Sequence, residues 1–258
     1  LEISGNKAGR IEDMPVFFVR TVHYKETIMT NMEKENIRNE LLSTSESQSG
    51  SKPSAGIIAE QLRKTTIYRQ AKQLFVSPAP SLAQIRINAL VDGKDLVMPG
   101  PGLRDGFYLL KPYSIPFTDL GYATIYKGLL QYAQRLSQEE TARLSIAILV
   151  TDALTVDSDG YFLGDGKGFF DLVVASLFSL GALASQAKVF AVADDKGRPD
   201  ALPHDPWDIR VDGLIFPDGV LVIDEGKNIK SEPKIYWDEL SLDRIKRITP
   251  LWQLYNQR

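Results

Sequence analysis

The sequence predicts an α/β fold, a single domain built on a mixed, mostly parallel β-sheet. Three observations predict it. From residue 56 to residue 99 the apolar pattern runs helix, strand, helix, strand, the order in which crossover helices join parallel strands. The runs "LSIAILVTDAL" and "AKVFAVADD" are apolar without alternation, as strands covered on both faces are. The chain has 258 residues, of which 43% are hydrophobic, enough for one core of ordinary size.

The elements follow in order. Residues 1–31 form an irregular N-terminal arm with one short apolar patch, "PVFFV", and residues 32–258 form the domain. "MEKENIRNELL" is helical, with Met32, Ile37 and Leu41 near one face. The Ser/Gly/Pro-rich stretch after it gives a mobile loop over 43–56. "IIAEQLRKTTIYRQA" is a second helix, "KQLFVSPAP" a short buried strand, "SLAQIRINALVDG" a helix closed by Gly93, and "KDLVMPGP" a strand ended by prolines. "GFYLLKPY" alternates like an edge strand. "ATIYKGLLQYAQRLS" is one helix, with Ala123, Tyr126, Leu129, Leu130 and Ala133 along a stripe. The strand "LSIAILVTDAL" leads through "TVDSDG" and a glycine loop into the helix "FFDLVVASLFSLGALAS". After "AKVFAVADD", two strands flank a Pro-Asp-Gly turn in "VDGLIFPDGVLVID". The tail "LDRIKRITPLWQLYNQR" is a helix interrupted at Pro250.

Composition excludes several chemistries. A net charge of −3 provides no field for nucleic acid or anionic membrane. No apolar run reaches membrane-spanning length. With no cysteine, disulfides, thiolate metal sites and thiol nucleophiles are out, and with two histidines so is a multi-histidine metal site. The lack of cysteine and of a basic–apolar leader fits a cytoplasmic protein acting on a small molecule.

The chemistry concentrates in "YFLGDGKGFFDL", where Gly164, Gly166 and Gly168 precede an apolar helix. Alternating glycines let backbone N–H groups approach a phosphate, and the helix N-terminus adds its dipole. Lys167 offers a mobile cation within the loop, and Asp171 offers a carboxylate for Mg²⁺. The motif has neither the Gly-Lys-Ser/Thr ending of a Walker loop nor Rossmann spacing, so an acidic surface turn explains it equally well. Asp171 so close to a helix start also complements the dipole.

The same residues resemble the 5-formyltetrahydrofolate cyclo-ligase family. Its Arg-Leu-Gly-x-Gly-x-Gly-Tyr-Tyr-Asp segment reads here Phe162-Leu163-Gly164-Asp165-Gly166-Lys167-Gly168-Phe169-Phe170-Asp171. Its N-terminal Lys-x-x-x-Arg, followed by x-Glu-Leu, is matched by Lys34 and Arg38 with Asn39, Glu40 and Leu41. "LPHDPWDIRVDGLIF" supplies a third segment through Leu202, Pro203, Asp208, Val211 and Asp212, and "GKDLVMPGP" a Gly-Lys strand. The resemblance implies a three-layer domain of the ribose-phosphate isomerase or CoA-transferase type. It implies Mg-ATP, and transfer of the γ-phosphate to the formyl oxygen of 5-formyltetrahydrofolate with closure to 5,10-methenyltetrahydrofolate. Lys34, Arg38, Lys167 and the loop residues Gly164 to Phe169 would then hold phosphates, with Arg38 and Lys167 acting on the transferred group and Asp171 on Mg²⁺.

Several positions depart from the pattern, among them Asp152-Ala153-Leu154-Thr155-Val156-Asp157, where the family has Pro-Gly-Leu-x-Phe-Asp. Phe162 stands where the family has arginine, Phe169-Phe170 replaces Tyr-Tyr, and no acid occurs in "SPAPSLAQ", where the family's folate-binding acid falls. A nucleotide- or folate-binding paralogue without turnover is therefore a second reading, and a sugar-phosphate isomerase using Asp152 and Asp157 a third. Asp152 ends the most apolar strand, the position at which open α/β sheets take ligands. Lys34 and Arg38, one turn apart, read by themselves as a solvated face. His204 beside Asp205, Arg104 in "PGPGLRDG", and the aromatics Tyr108, Tyr113, Phe117, Tyr122 and Trp207 are further candidates with ordinary structural explanations.

Overall fold

The computed structural model describes residues 30–43, 55–193, 198–223 and 232–258. The apolar arm patch and most of the expected 43–56 loop lie outside them. Helix α1 spans 30–43. The long second helix breaks into α2 (Ala55–Lys64) and α3 (Thr66–Gln70) at Thr65, whose hydroxyl caps the Tyr68 N–H at 3.3 Å. Strand β1 (Gln73–Val76), helix α4 (Ala83–Val91) and strand β2 (Asp95–Pro99) follow as expected, and Gly93 closes α4 with φ +76°.

The middle of the chain differs from the sequence expectation. β3 (Phe107–Leu110) is buried at every position, because β4 (Gln134–Arg135) takes the sheet edge. The single helix expected from 123 onward is two, α5 (Leu120–Ala123) and α6 (Tyr126–Tyr132), separated by extended Ile125. They cross so closely that a Cβ on Gly128 would lie 2.0 Å from the Tyr122 carbonyl oxygen. Leu130 consequently faces solvent.

After α7 (Gln138–Ala142) comes β5 (Ile146–Asp152), the most apolar strand. β6 (Thr155–Val156) and β7 (Phe162–Leu163) pair as a small ribbon around the acidic turn. α8 (Phe169–Ser179) leads to β8 (Leu183–Val192), which begins well before the expected "AKVFAVADD". β9 (Gly213–Phe216) and β10 (Gly219–Val222) form the expected hairpin. The tail divides into α9 (Leu242–Arg247) and α10 (Thr249–Tyr255), with Pro250 in the first turn of α10.

Eight strands form one sheet in the order β10-β9-β8-β5-β1-β2-β3-β4. The central five are parallel and both flanks antiparallel. Two cores cover its faces. One packs Val173, Val174 and Leu177 of α8 with Ile245 and Leu251 of the tail; the other packs Leu62, Ile85, Ala89, Leu120 and Leu129. The result is the three-layer α/β domain that the sequence predicts. From β1 the chain moves outward to β2, then returns to β5 on the other side of β1. The crevice between the carboxyl ends of β1 and β5 is thus the topological switch point, where open α/β sheets bind ligands.

Candidate functional site

The glycine loop links β7 to α8. Asp165 accepts from the Lys167 N–H at 3.1 Å, closing an Asx turn, and its carboxylate also meets Lys167 Nζ at 3.1 Å. Lys167 remains 78% exposed, and its carbonyl accepts from Arg244 of α9 at 2.8 Å. Gly166 and Gly168 have φ of +81° and +58°. Nothing lies within 4 Å of where a Gly168 Cβ would stand.

Helix α1 brings Arg38 onto this loop. Its Nε donates to the Gly164 carbonyl at 3.0 Å, and Nη1 pairs with Glu35 at 2.9 Å. A Cβ on Gly166 would lie 2.9 Å from Arg38 Cζ, so a side chain there and the guanidinium could not share the space. Arg38, Gly164, Asp165, Gly166 and Lys167 therefore meet in three dimensions although 126 residues separate Arg38 from Gly164.

Lys34 points elsewhere. It is buried, with Nζ 2.7 Å from Asp205 and 2.5 Å from Asp208. The phosphate-facing role expected of this lysine competes with two carboxylates already in place. Asp171, half-buried beside this cluster, accepts from the Ile209 N–H at 2.9 Å. Its carboxyl is raised to about 6, chiefly by desolvation and also by nearby Asp208, against the lowering effect of that hydrogen bond. Among the described residues no three carboxylates or imidazoles gather as a metal cage. Mg²⁺ is ordinarily bound by one or two carboxylates together with phosphate oxygens, and Asp171 suits such a shared site.

Asp152 ends β5 at the switch crevice, its carboxyl raised by desolvation and by Asp165 and lowered by Arg86. Those influences join the glycine loop, Asp152 and Arg86 into one neighbourhood. Arg86 was not among the expected site residues. Only 1% of it is exposed, and its Nη1 donates to the carbonyls of Ser77 (2.6 Å) and Ala79 (2.9 Å), just beyond β1. A sequence signal existed: Arg86 falls on the stripe of Leu82, Ile85, Ala89 and Leu90, so a cation sits on the core face of α4.

The other candidates have structural roles. Phe162, in place of an arginine, packs against the core with its ring 5.9 Å from Phe170, and Phe169 packs against the same core. Asp157 accepts from the N–H groups of Asp159, Tyr161 and Leu202, each at 2.9 Å, and organises the acidic turn. His204 stacks on Tyr161 at 3.7 Å. The Arg104 carbonyl is tied to Thr249 of α10. Tyr108 is in the core, Tyr122 packs on Tyr132, Trp207 meets Tyr236, and Tyr113 and Phe117 are exposed.

Residues 30–217 match the 5-formyltetrahydrofolate cyclo-ligase family. The methenyltetrahydrofolate synthase domain-containing protein of Homo sapiens is 24% identical over 203 residues, 77% of this chain and 52% of that protein. Its Bos taurus counterpart is 24% identical over 204 residues, with the same coverage of each chain. The chain thus spans about half the length of the curated relatives it matches. The solved 5,10-methenyltetrahydrofolate synthetase of Aquifex aeolicus shares the fold with a TM-score of 0.51 at 18% identity, over 77% of this chain and 96% of that one. No helix among the described residues is long and apolar enough to cross a membrane.

Proposed function

The chain belongs to the 5-formyltetrahydrofolate cyclo-ligase family, and from that premise we propose that its glycine loop cradles the phosphates of Mg-ATP for cyclo-ligase chemistry on a reduced folate. One observation carries the reading: the Arg38 guanidinium lies against the loop that would hold the phosphates, with Nε 3.0 Å from the Gly164 carbonyl. The donor set fits the cofactor. The glycine-rich start of α8, Arg38 and exposed Lys167 suit phosphate oxygens, and Asp171 suits a hard divalent cation.

In this reading ATP supplies the phosphoryl group that turns the formyl oxygen into a leaving group. Arg38 and Lys167 would hold the phosphates and supply positive charge against the charge that develops on the transferred group. Asp171, which accepts from the Ile209 N–H, would hold the divalent cation through its carboxylate. Lys34 anchors the Asp205–Asp208 turn, and through it the position of α1. Incubation with 5-formyltetrahydrofolate and Mg-ATP is expected to generate the absorbance of the methenyl product. No turnover at high enzyme concentration rejects the catalytic reading.

Phe162 favours a second reading. An arginine acting on a transferring phosphate is worth roughly a thousandfold or more in rate. Here the position carries a phenyl ring turned into the core. A nucleotide-binding relative without turnover follows. Calorimetry expects Mg²⁺-dependent ATP binding under this reading, and no ATP binding at all would reduce the loop to a connection.

A further inference from the structure

The carboxyl-terminal tail reaches the glycine loop from outside the segment that matches the family, which ends at residue 217. Its helix α9 is fixed by apolar burial: Ile245, Ile248 and Leu251 sit in the same core as Val173, Val174 and Leu177 of α8. Ser241 caps α9, its hydroxyl accepting from the Arg244 N–H at 3.2 Å. From that anchored turn the Arg244 guanidinium extends to the loop, where Nη2 donates to the Lys167 carbonyl at 2.8 Å. The guanidinium makes no other hydrogen bond or ion pair among the described residues.

Two arginines from different elements thus hold the loop by its carbonyl oxygens, Arg38 at Gly164 and Arg244 at Lys167. Between them the Asp165 carboxylate accepts from the Lys167 N–H. Every peptide bond here is trans, so the N–H of each unit points away from its C=O. A donor on the Lys167 carbonyl therefore turns the Gly168 N–H to the opposite side, and Arg38 does the same for the Asp165 N–H. Neither of these N–H groups, nor that of Gly166, has an acceptor among the described residues. The 167–168 unit needs such a hold. Gly168 sits at φ +58°, and glycine takes positive and negative φ about equally well, so the unit would otherwise turn over at little cost.

We propose, on the reading that this loop cradles the phosphates of Mg-ATP, that Arg244 is a positioning residue for it: by holding the Lys167 carbonyl, Arg244 keeps the Gly168 N–H turned toward the phosphates. The tail then completes a loop that the family segment holds by arginine only at Gly164. Arg244 stands on the carbonyl side of the peptide unit, so it acts through the Gly168 amide rather than by touching the nucleotide.

The Gly168 amide is itself the reporter. In whole protein labelled with nitrogen-15 at glycine its signal is identified by its loss in Gly168→Ala, and Mg-ATP should shift it saturably in the wild type. Arg244→Ala keeps a good helix former in α9. It should displace or broaden the Gly168 signal before any nucleotide is added. In calorimetry it should weaken Mg-ATP about three- to tenfold, the scale of one hydrogen bond. Arg244→Lys, which returns a donor and the charge, should recover part of both effects. A Gly168 signal that is unchanged in Arg244→Ala overturns the proposal even if affinity falls, because the charge then acts at a distance. A wild type that binds no Mg-ATP rejects the phosphate reading and the proposal with it. Wild-type binding that Arg244→Ala leaves intact rejects the proposal alone.

Discussion

Two buried cations, Lys34 and Arg86, are held in opposite ways. Lys34 on α1 is answered by two carboxylates, Asp205 and Asp208. Arg86 on α4 is answered by two carbonyls and, among the described residues, by no carboxylate within ion-pair distance. The first arrangement is a closed ion-pair cluster that docks an element: among the described residues, no α1 side chain belongs to either core. The second leaves an enclosed guanidinium without a direct ion pair among the described residues, with Asp152 acting on it from a distance. Burial alone does not tell the purpose of a charged side chain; the identity of its partner does.

The largest expected effect is on the Lys34 side. Lys34→Met strands two acidic groups and should cost about 3 kcal/mol of α1 docking, the usual penalty for a broken buried pair. Hydrogen exchange or limited proteolysis of α1 measures it. Adding Asp208→Asn should restore part of the loss, and strict additivity would break the ion-pair account. On the other side, Arg86→Gln releases the turn after β1 and should cost about 2 kcal/mol in urea unfolding, from carbonyls left without their donor. Gly166→Ala comes next. Its φ of +81° and the 2.9 Å approach of Arg38 Cζ predict about 1–2 kcal/mol of strain and displacement of the guanidinium. The measurable result is weaker ATP binding with the core still folded.

The Asp171 carboxyl gives a pH signature between these two regions. Burial raises it from 3.8 to about 6 in the folded protein. Between about pH 4 and 6 the folded state therefore binds the proton that the unfolded state releases, so stability falls as pH rises through that window and levels off above it. Asp171→Asn should flatten that segment of the melting-temperature profile. A persistent slope would assign it to other groups. The smallest effect is expected at Lys167, which is mostly exposed. Lys167→Ala should change stability by less than about 0.5 kcal/mol. It should weaken ATP by only about three- to fivefold, the scale of an exposed ion pair. Unchanged affinity would remove this lysine from the phosphate site.

Much of this frame was legible in the chain. Helix–strand alternation between 56 and 99, and the uniform apolar runs of β5 and β8, specify a parallel sheet because periodicity and burial are written into neighbouring residues. The helix expected from 123 onward failed because its break depends on Gly128 meeting the Tyr122 carbonyl, a contact between two helices rather than a pattern within one. β3 reads as an edge strand until β4 covers it. At the site, the glycine loop and Arg38 were legible as motifs, and the hidden member, Arg86, was marked only by its place on an apolar stripe.

The sequence by itself determined the element types, the central parallel strands and the family to which the loop belongs. Tertiary structure alone decided what the charges do. Lys34 meets Asp205 across 171 residues, whereas Arg86 reaches carbonyls only seven and nine residues away and forms no ion pair among the described residues. The physical reason is range. Hydrophobic periodicity is a local property, while the state of a buried charge is set by whichever groups the completed fold brings within hydrogen-bonding distance.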